Sequence, residues 1–335
     1  MAKTVKMSDI AAKLNVSTVT VSKALADQKG VSDEMRNKIK KLAEEMGYQK
    51  PVAKLEERTK SFNIGVIVPE DYIEKYQTFY WEMYQEINMT AVKNNSFVML
   101  EVLTIKDEKM LIPPKLLKEN KIDGLIVLGG ISSVYLQMIR EHYSTPTVYL
   151  DFYDSVNRED CVVSNSFYGT YLLTNYLFDK GHKNIAFVGP VLATKSITDR
   201  FLGYQKSLME HGIPIREDWV LKDRDTERHN LDKFILPKEM PTAFVCNCDM
   251  AASWIIRELN LAGYSVPEDV SVVGFDDFLY PGLCDIPLTT YAVNMMKMAE
   301  TGVSLLQKKM LGEETSNGMH LIEGYFIERK SVRAI

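Results

Sequence analysis

The sequence predicts a small all-helical head followed by a much larger α/β body, and three observations support this division. Residues 7–46 show the helical spacing of apolar residues with short polar breaks. Residues 49–61 form a polar stretch that contains Pro51. From Phe62 onward, short apolar runs alternate with amphipathic segments, which is typical of parallel sheets covered by helices.

We therefore predict a head of residues 1–48, a linker of residues 49–61 and an α/β body of residues 62–335. The body holds too many strand and helix units for one sheet, so we expect two similar lobes. Among its elements we predict strands at Thr147–Leu150, Ala243–Cys246 and Val270–Gly274, and a helix that begins at Arg200.

Charge is divided unevenly along the chain. The first 60 residues hold 13 basic and 8 acidic side chains, whereas the remainder holds 27 basic and 37 acidic ones. A basic head on an acidic body favours a polyanionic partner for the head alone. The alternative at this point is a solvated helical surface.

Targeting and redox signals point to a reducing cytoplasm. The four cysteines, Cys161, Cys246, Cys248 and Cys284, form no CxxC pair, and the polar N-terminal segment lacks the apolar core of a signal peptide. No apolar run reaches the ~18 residues of a membrane helix. We expect no metal site, no cofactor and no membrane association.

In the head, two serines are placed to cap helices. Ser17 precedes a helix over 18–26 whose inward residues include Val21, and Ser32 precedes a third helix. A short helix, a tight turn and a capped second helix form a helix-turn-helix pattern. A structural or protein-binding three-helix module has the same pattern.

The start of the second helix suits DNA reading. Thr18, Val19 and Lys23 can point outward toward base edges, because methyl groups contact thymine and lysine donates to guanine. Ser17 and Ser22 can reach phosphates.

Several segments together resemble the lactose-repressor/galactose-repressor (LacI/GalR) family. In the head these are Asp9–Ala11, Val16–Lys23, Val31-Ser32, Arg36 and Gly47-Tyr48. In the body they are Gly181–Gly189, Arg200–Tyr204, Pro241–Asn247, Val266–Asp277, Pro287–Thr290 and Arg329–Ser331. Their order along the chain makes the resemblance far more specific than any one of them.

The resemblance implies base contacts at Thr18, Val19 and Lys23, and phosphate contacts at Ser17, Ser22 and Ser32. It also implies a minor-groove wedge, for which Leu55 is the candidate. Here the chain departs from the family pattern, because Leu55 arrives about two residues early and is followed by Glu56 and Glu57. A weak or absent wedge is therefore expected.

For the body, the resemblance implies a periplasmic-binding-protein-like fold with a ligand cleft between two lobes. Asp151, Asn247 and Asp276 follow predicted strands, where ligands of parallel sheets bind. With Arg200, they match the family's effector contacts. Each has a structural alternative: the aspartates can cap turns, Asn247 can stabilise its own turn, and Arg200 can form an ion pair.

The cleft also departs from the family pattern. Its usual Asn-Asp pair is Asn247-Cys248 here, with Asp249 one position later, and Ser164-Asn165 stands where Asp-Asn is usual. From the aromatic segment 72–84, Tyr76 and Phe79 are our candidates for stacking on a sugar ring.

We expect a transcription regulator, a repressor in particular, that binds near-palindromic operator DNA as a homodimer and responds to a sugar or sugar derivative. A purine- or nucleoside-responsive regulator is the alternative, and a solute-binding protein would need a signal peptide instead of the head. No catalytic set is visible in the sequence, so we do not expect an enzyme.

Overall fold

The computed structural model describes residues 5, 7–25, 30–46, 48, 60–73, 78–224, 235–278, 284–313, 315 and 318–335. The chain divides into two compact units, residues 1–59 and 60–335. Each unit has its own apolar core.

The first unit contains three helices around a small core. They are α1 (Met7–Leu14), α2 (Thr18–Leu25) and α3 (Asp33–Glu45). Ile10, Val21, Ala24 and Ile39 are fully buried between them. The predicted caps are confirmed: Ser17 Oγ accepts the Thr20 amide at 3.0 Å, and Ser32 Oγ accepts the Met35 amide at 3.4 Å.

The second unit contains two six-stranded sheets, which define lobe 1 and lobe 2. The strands are β1 (Asn63–Pro69), β2 (Phe97–Leu103), β3 (Gly124–Leu128), β4 (Thr147–Leu150), β5 (Asp160–Ser164), β6 (Ile185–Val188), β7 (Val220–Leu221), β8 (Ala243–Cys246), β9 (Ser271–Asp276), β10 (Thr289–Ala292), β11 (Met319–Ile322) and β12 (Tyr325–Ile327). Strand order is β11-β5-β4-β3-β1-β2 in lobe 1 and β12-β10-β9-β8-β6-β7 in lobe 2. Neighbouring strands are parallel except for β10 and β12, which are antiparallel.

Helices cover both faces of each sheet. They are α4 (Phe79–Lys93), α5 (Ile105–Lys109), α6 (Lys115–Lys118), α7 (Ser133–His142), α8 (Ser166–Asp179), α9 (Lys195–Glu210), α10 (Asp249–Leu261) and α11 (Met295–Met310). Successive strand residues alternate between the two faces: Ile126 packs with the core under α4 and α11, whereas Val127 packs with the core under α7. Burial on both faces explains the continuous apolar runs in the sequence.

The chain passes between the lobes three times in the described residues. It crosses from β5 to α8, from β10 to α11, and from β11 to β12. The lobes are therefore not successive segments of the sequence, because lobe 1 takes α11 and β11 from the C-terminal part of the chain. Three short crossings form a connection about which two lobes can move.

Candidate functional site

In the head, α2 exposes the residues that were predicted to read DNA. Thr18, Val19, Ser22 and Lys23 are exposed, while Val21 on the opposite face is buried. Val19 is 60% exposed, although it is apolar and sits on a short helix with a small core. The methyl and ammonium groups on this face of α2 are therefore exposed and not packed in the core.

Two predicted site residues lie outside the described part of the chain. These are the wedge candidate Leu55 and the stacking candidate Tyr76. Glu56 and Glu57, beside Leu55, also lie outside it. Their roles stay predictions.

In the body, the carboxyl ends of both sheets border a cavity of about 440 Å³. Lobe 1 contributes the segments after β1, β3 and β4, and lobe 2 contributes the start of α9. The lining residues are Tyr72, Tyr80, Gly130, Ile131, Ser132, Ser133, Asp151, Phe152, Tyr153, Asp154, Leu192, Ala193, Thr194, Lys195, Ser196 and Thr198. The volume falls within the range of small-molecule sites, about 300–1,000 Å³.

Strand register places Asp151 in this wall. Leu128 of β3 pairs with Leu150 of β4, so Gly129 and Asp151 leave the sheet side by side. Asp151 has a positive φ of 66°, a conformation that aspartate tolerates well. Gly129 has a φ of 80°, and a Cβ there would lie 2.7 Å from the Tyr72 ring. Glycine therefore lets Tyr72 approach the strand end.

Tyr80 holds the carboxylate of Asp151 in place. Its Oη donates to Asp151 Oδ2 at 2.8 Å, and its ring stacks on Tyr72 with 4.3 Å between centroids. Burial raises the pKa of Asp151, an effect that the Tyr80 hydrogen bond and Arg200 oppose. The result is a pre-oriented acceptor beside an aromatic surface.

Arg200 lies within α9 and not at its start, so the prediction that it opens a helix is wrong. Thr194 caps α9 by accepting the Ile197 amide at 3.1 Å, and the helix begins five residues before Arg200. Arg200 therefore faces inward from the second turn of α9 and does not belong to the lining of the cavity.

The donors of Arg200 are taken by protein acceptors. Nη2 pairs with Asp276 Oδ1 at 3.0 Å, Nη1 donates to the Asn247 carbonyl, and Nε donates to Ser166 Oγ at 3.3 Å. The guanidinium also lies 3.8 Å from the centroid of the Phe275 ring. The Arg200 and Asp276 side chains are only 8% and 16% exposed. Burial raises the pKa of Asp276 to about 6, against the opposing effect of Arg200.

Asn247 belongs to the same polar cluster, which lies next to the cavity. Its Nδ2 donates to Asp223 Oδ2 at 2.8 Å and to the Val188 carbonyl at 2.9 Å. Asp223 is fully buried and also pairs with Arg224 at 2.8 Å. Sequence reasoning missed Asp223 and Arg224, because a charged run after a short strand is typical of a surface loop.

Two residues at positions where the chain departs from the family pattern, Cys248 and Asp249, make contacts within the protein. Cys248 Sγ accepts the Ala251 amide at 3.4 Å and caps α10. Asp249 is buried and accepts from Thr290 Oγ1 at 2.8 Å and from the Phe278 amide at 3.0 Å. Across the described ranges, no three His, Cys, Asp or Glu side chains are grouped to hold a metal ion.

The structure thus brings four predicted residues to one region but gives them different surroundings. Asp151 lines the cavity, whereas Arg200 lies beside it and donates hydrogen bonds to both Asp276 and the Asn247 carbonyl. Phe79 contacts the edge of Phe278 at 6.3 Å between centroids and is not part of the lining. Sequence reasoning did not select Tyr72, Tyr80 and Lys195; the positions of the tyrosines just after β1 were the available signal.

No helix within the described residues is both long enough and apolar enough to cross a lipid bilayer.

Both units match known protein families. Residues 6–50 match the bacterial regulatory proteins of the lacI family, and residues 174–332 match a periplasmic binding protein-like domain. The HTH-type transcriptional repressor CytR of Escherichia coli (strain K12) is 27% identical over 333 residues, covering 98% of this chain and 96% of that protein.

Two solved structures share the fold over nearly the whole chain. The lac repressor dimer bound to operator and the anti-inducer ONPF gives a TM-score of 0.66 at 21% identity, covering 99% of this chain and 100% of that one. The complex of the transcriptional regulator CelR with cellobiose gives a TM-score of 0.70 at 21% identity, covering 98% and 99%.

Proposed function

Because this chain belongs to the lacI family of bacterial regulatory proteins, we propose that it is a transcriptional repressor whose hold on operator DNA is controlled by a sugar or sugar derivative bound between its lobes. The proposal that an effector binds between the lobes rests on the cavity of about 440 Å³. Both lobes line this cavity, and the pre-oriented Asp151 carboxylate borders it. A ligand that contacts both lobes stabilises one arrangement of them over another.

For DNA, we propose that Thr18, Val19 and Lys23 contact base edges. Their exposure on α2, opposite the buried Val21, supports this assignment. Ser17, Ser22 and Ser32 are the proposed phosphate contacts. The hydroxyls of Ser17 and Ser32 accept helix amides and can still donate to a phosphate oxygen, and Ser22 is exposed on α2.

For assembly, we propose a homodimer on a near-palindromic operator. One small head makes too few base contacts to select a site in a genome, so a second head is needed. The fold shared with the lac repressor dimer bound to operator supports this arrangement.

For the effector, hydroxyl-bearing side chains favour a sugar. Ser132, Ser133, Thr194, Ser196 and Thr198 line the cavity together with Asp151, and carboxylates and hydroxyls bind paired sugar hydroxyls. The CelR structure with cellobiose, which has this fold, gives further support. The second candidate is a purine or nucleoside, favoured by the stacked pair Tyr72 and Tyr80, whose surface suits a flat base.

One experiment tests both the proposed DNA binding and the proposed effector. Duplexes selected by the full-length protein from a random library identify the operator, and binding to it is then measured with cellobiose, ribose, adenosine or guanine. We expect near-palindromic sequences, and a sugar that changes operator affinity by about 5- to 150-fold. A response to adenosine or guanine alone would replace the sugar by a purine, and no enriched sequence would contradict the DNA-binding part.

A further inference from the structure

The lobe 2 wall of the cavity is the beginning of α9. Thr194 caps this 16-residue helix, and Lys195, Ser196 and Thr198 line the cavity from its first turn. The Thr194 hydroxyl satisfies the Ile197 amide. The amides of Lys195 and Ser196 precede it, where a helix supplies no internal acceptor. Backbone donors and the helix dipole therefore favour negative charge at this wall.

Lys195 adds a full positive charge at the same place. Among the described lining residues, it is the single lysine or arginine. Its Nζ lies 5.4 Å from the centroid of the Tyr153 ring, and no carboxylate of the described residues pairs with it within 4.0 Å. By contrast, Arg200, one turn further along α9, uses its donors on Asp276, Ser166 and the Asn247 carbonyl.

Ser164 gives a second, independent indication of a ligand. It ends β5 at a crossing between the lobes and is 5% exposed, and its Oγ has no hydrogen-bond partner among the described residues. It lines a narrow crevice together with Lys195 and Ser196, and this crevice shares Asp151, Phe152 and Tyr153 with the cavity. A buried hydroxyl without a partner is unfavourable, so an acceptor reaching this crevice would be stabilised.

The acidic residues nearby, Asp151, Asp154 and Asp199, each accept hydrogen bonds from the protein, which offset part of their negative charge. Asp154 accepts from the Ser133 hydroxyl and from the amides of Val156 and Asn157, and Asp199 accepts from Tyr153 Oη at 3.3 Å. Burial raises the pKa of both Asp151 and Asp199, and their tyrosine hydrogen bonds and the charge of Arg200 oppose this effect.

From these observations we infer that the effector is an anionic sugar, whose phosphate or carboxylate group binds Lys195, the first-turn amides of α9 and the Ser164 hydroxyl. This inference rests on the proposed function and specifies the ligand of the same cleft. The sugar hydroxyls then face Asp151 and the tyrosines of lobe 1, so that one ligand connects the two lobes.

Calorimetry on the full-length protein, with matched pairs of neutral and anionic ligands, tests whether the effector is an anionic sugar. The pairs are glucose with glucose 6-phosphate and ribose with ribose 5-phosphate, and glucuronate is the carboxylate arm. We expect an anionic member to bind at least about tenfold more tightly than its neutral partner. Preference for glucuronate alone identifies a carboxylate, and preference for the phosphate esters identifies a phosphate.

The variant Lys195→Gln keeps the length of the side chain and removes its charge. It should bring the anionic-to-neutral affinity ratio close to one, whereas Lys183→Gln, an exposed lysine of lobe 2 outside the cavity, should leave the ratio unchanged. Equal binding of neutral and anionic members by the parent would overturn the inference and leave the proposed sugar effector in place. Binding of no sugar in any arm would overturn both.

Inorganic phosphate probes the anion site without any sugar. Millimolar phosphate should raise the Tm of the parent and of Lys183→Gln more than that of Lys195→Gln, with potassium chloride at equal ionic strength as the reference. An equal Tm increase in all three proteins would overturn the anion site, whatever the sugar measurements show.

Discussion

Two groups of polar residues lie at the carboxyl ends of the sheets, and they differ in whether their hydrogen bonds are already used. At the cavity wall, Asp151 is held by one tyrosine and Lys195 has no ion-pair partner among the described residues. In the adjacent cluster, Arg200 binds Asp276 and the Asn247 carbonyl, and the Asn247 side chain binds the Val188 carbonyl. Position at a strand end therefore does not distinguish a ligand contact from a structural contact.

The difference follows from burial. A guanidinium can be taken out of water only when acceptors surround it, so the sequestered Arg200 has become part of the architecture of lobe 2. Groups at the cavity wall keep contact with water and can exchange it for a ligand.

The largest effect should come from Arg200→Ala. It leaves the Asp276 carboxylate buried without its partner, which costs about 3–5 kcal/mol of unfolding free energy. Urea denaturation measures it. The control Lys297→Ala removes a 57%-exposed lysine that pairs with Glu300, itself 46% exposed, and should cost about 0–1 kcal/mol. A loss for Arg200→Ala no larger than that of the control would mean that Arg200 is available to ligands.

The same cluster should produce a pH dependence. Because burial raises the pKa of Asp276 to about 6, the folded protein binds this proton more tightly than the unfolded chain does. The contribution of Asp276 to stability should fall as pH rises from about 4 to about 6, by at most about 1.4 kcal/mol per pH unit, and then level off. Urea denaturation of the parent and of Asp276→Asn across this range isolates it. A difference between the two proteins that does not change with pH would contradict the raised pKa.

Asp151→Asn should lower effector affinity and leave stability nearly unchanged, which is the opposite of the effect expected for Arg200→Ala. Asparagine also tolerates the positive φ at this position, so little stability should be lost, while effector affinity falls by about 1.5–3 kcal/mol. Calorimetry with the effector measures the affinity, and Asp179→Asn, at the exposed end of α8, is the control. Unchanged affinity together with lost stability would place Asp151 among the structural residues.

In the head, an exposed lysine on α2 can be compared with an ion-paired lysine on α3. Lys23 is exposed on α2, whereas Lys38 on α3 pairs with Glu34 at 2.7 Å. Lys23→Ala should cost about 1–3 kcal/mol of operator binding and relax the preference at one base pair, and Lys38→Ala should not. Electrophoretic mobility shifts on operator and random duplexes decide this. Should Lys23→Ala discriminate between them as well as the parent does, the reading helix has been assigned wrongly.

The sequence predicted features that depend on neighbouring residues. Ser17 and Ser32 were recognised as caps because a cap and its helix are adjacent in the chain. Asp151 was recognised as a strand-end residue for the same reason. The start of α9 was placed five residues too late because the Thr194 cap was not weighed.

Features that depend on distant residues could not be predicted. Tyr80 and Asp151 are 71 positions apart, and Arg200 and Asp276 are 76 apart. An ion pair was the alternative considered for Arg200, but nothing in the local pattern identified Asp276 as its partner. The three crossings between lobes likewise combine segments from both ends of the body.

Operator affinity measured with and without saturating effector, in the parent and in Asp151→Asn, tests the central claim most directly. The effector should change the parent's operator affinity by about 5- to 150-fold. Asp151→Asn should bind free operator as the parent does, with little change on adding the same concentration of effector. An equal response in both proteins would contradict the claim that the cavity bordered by Asp151 controls DNA binding.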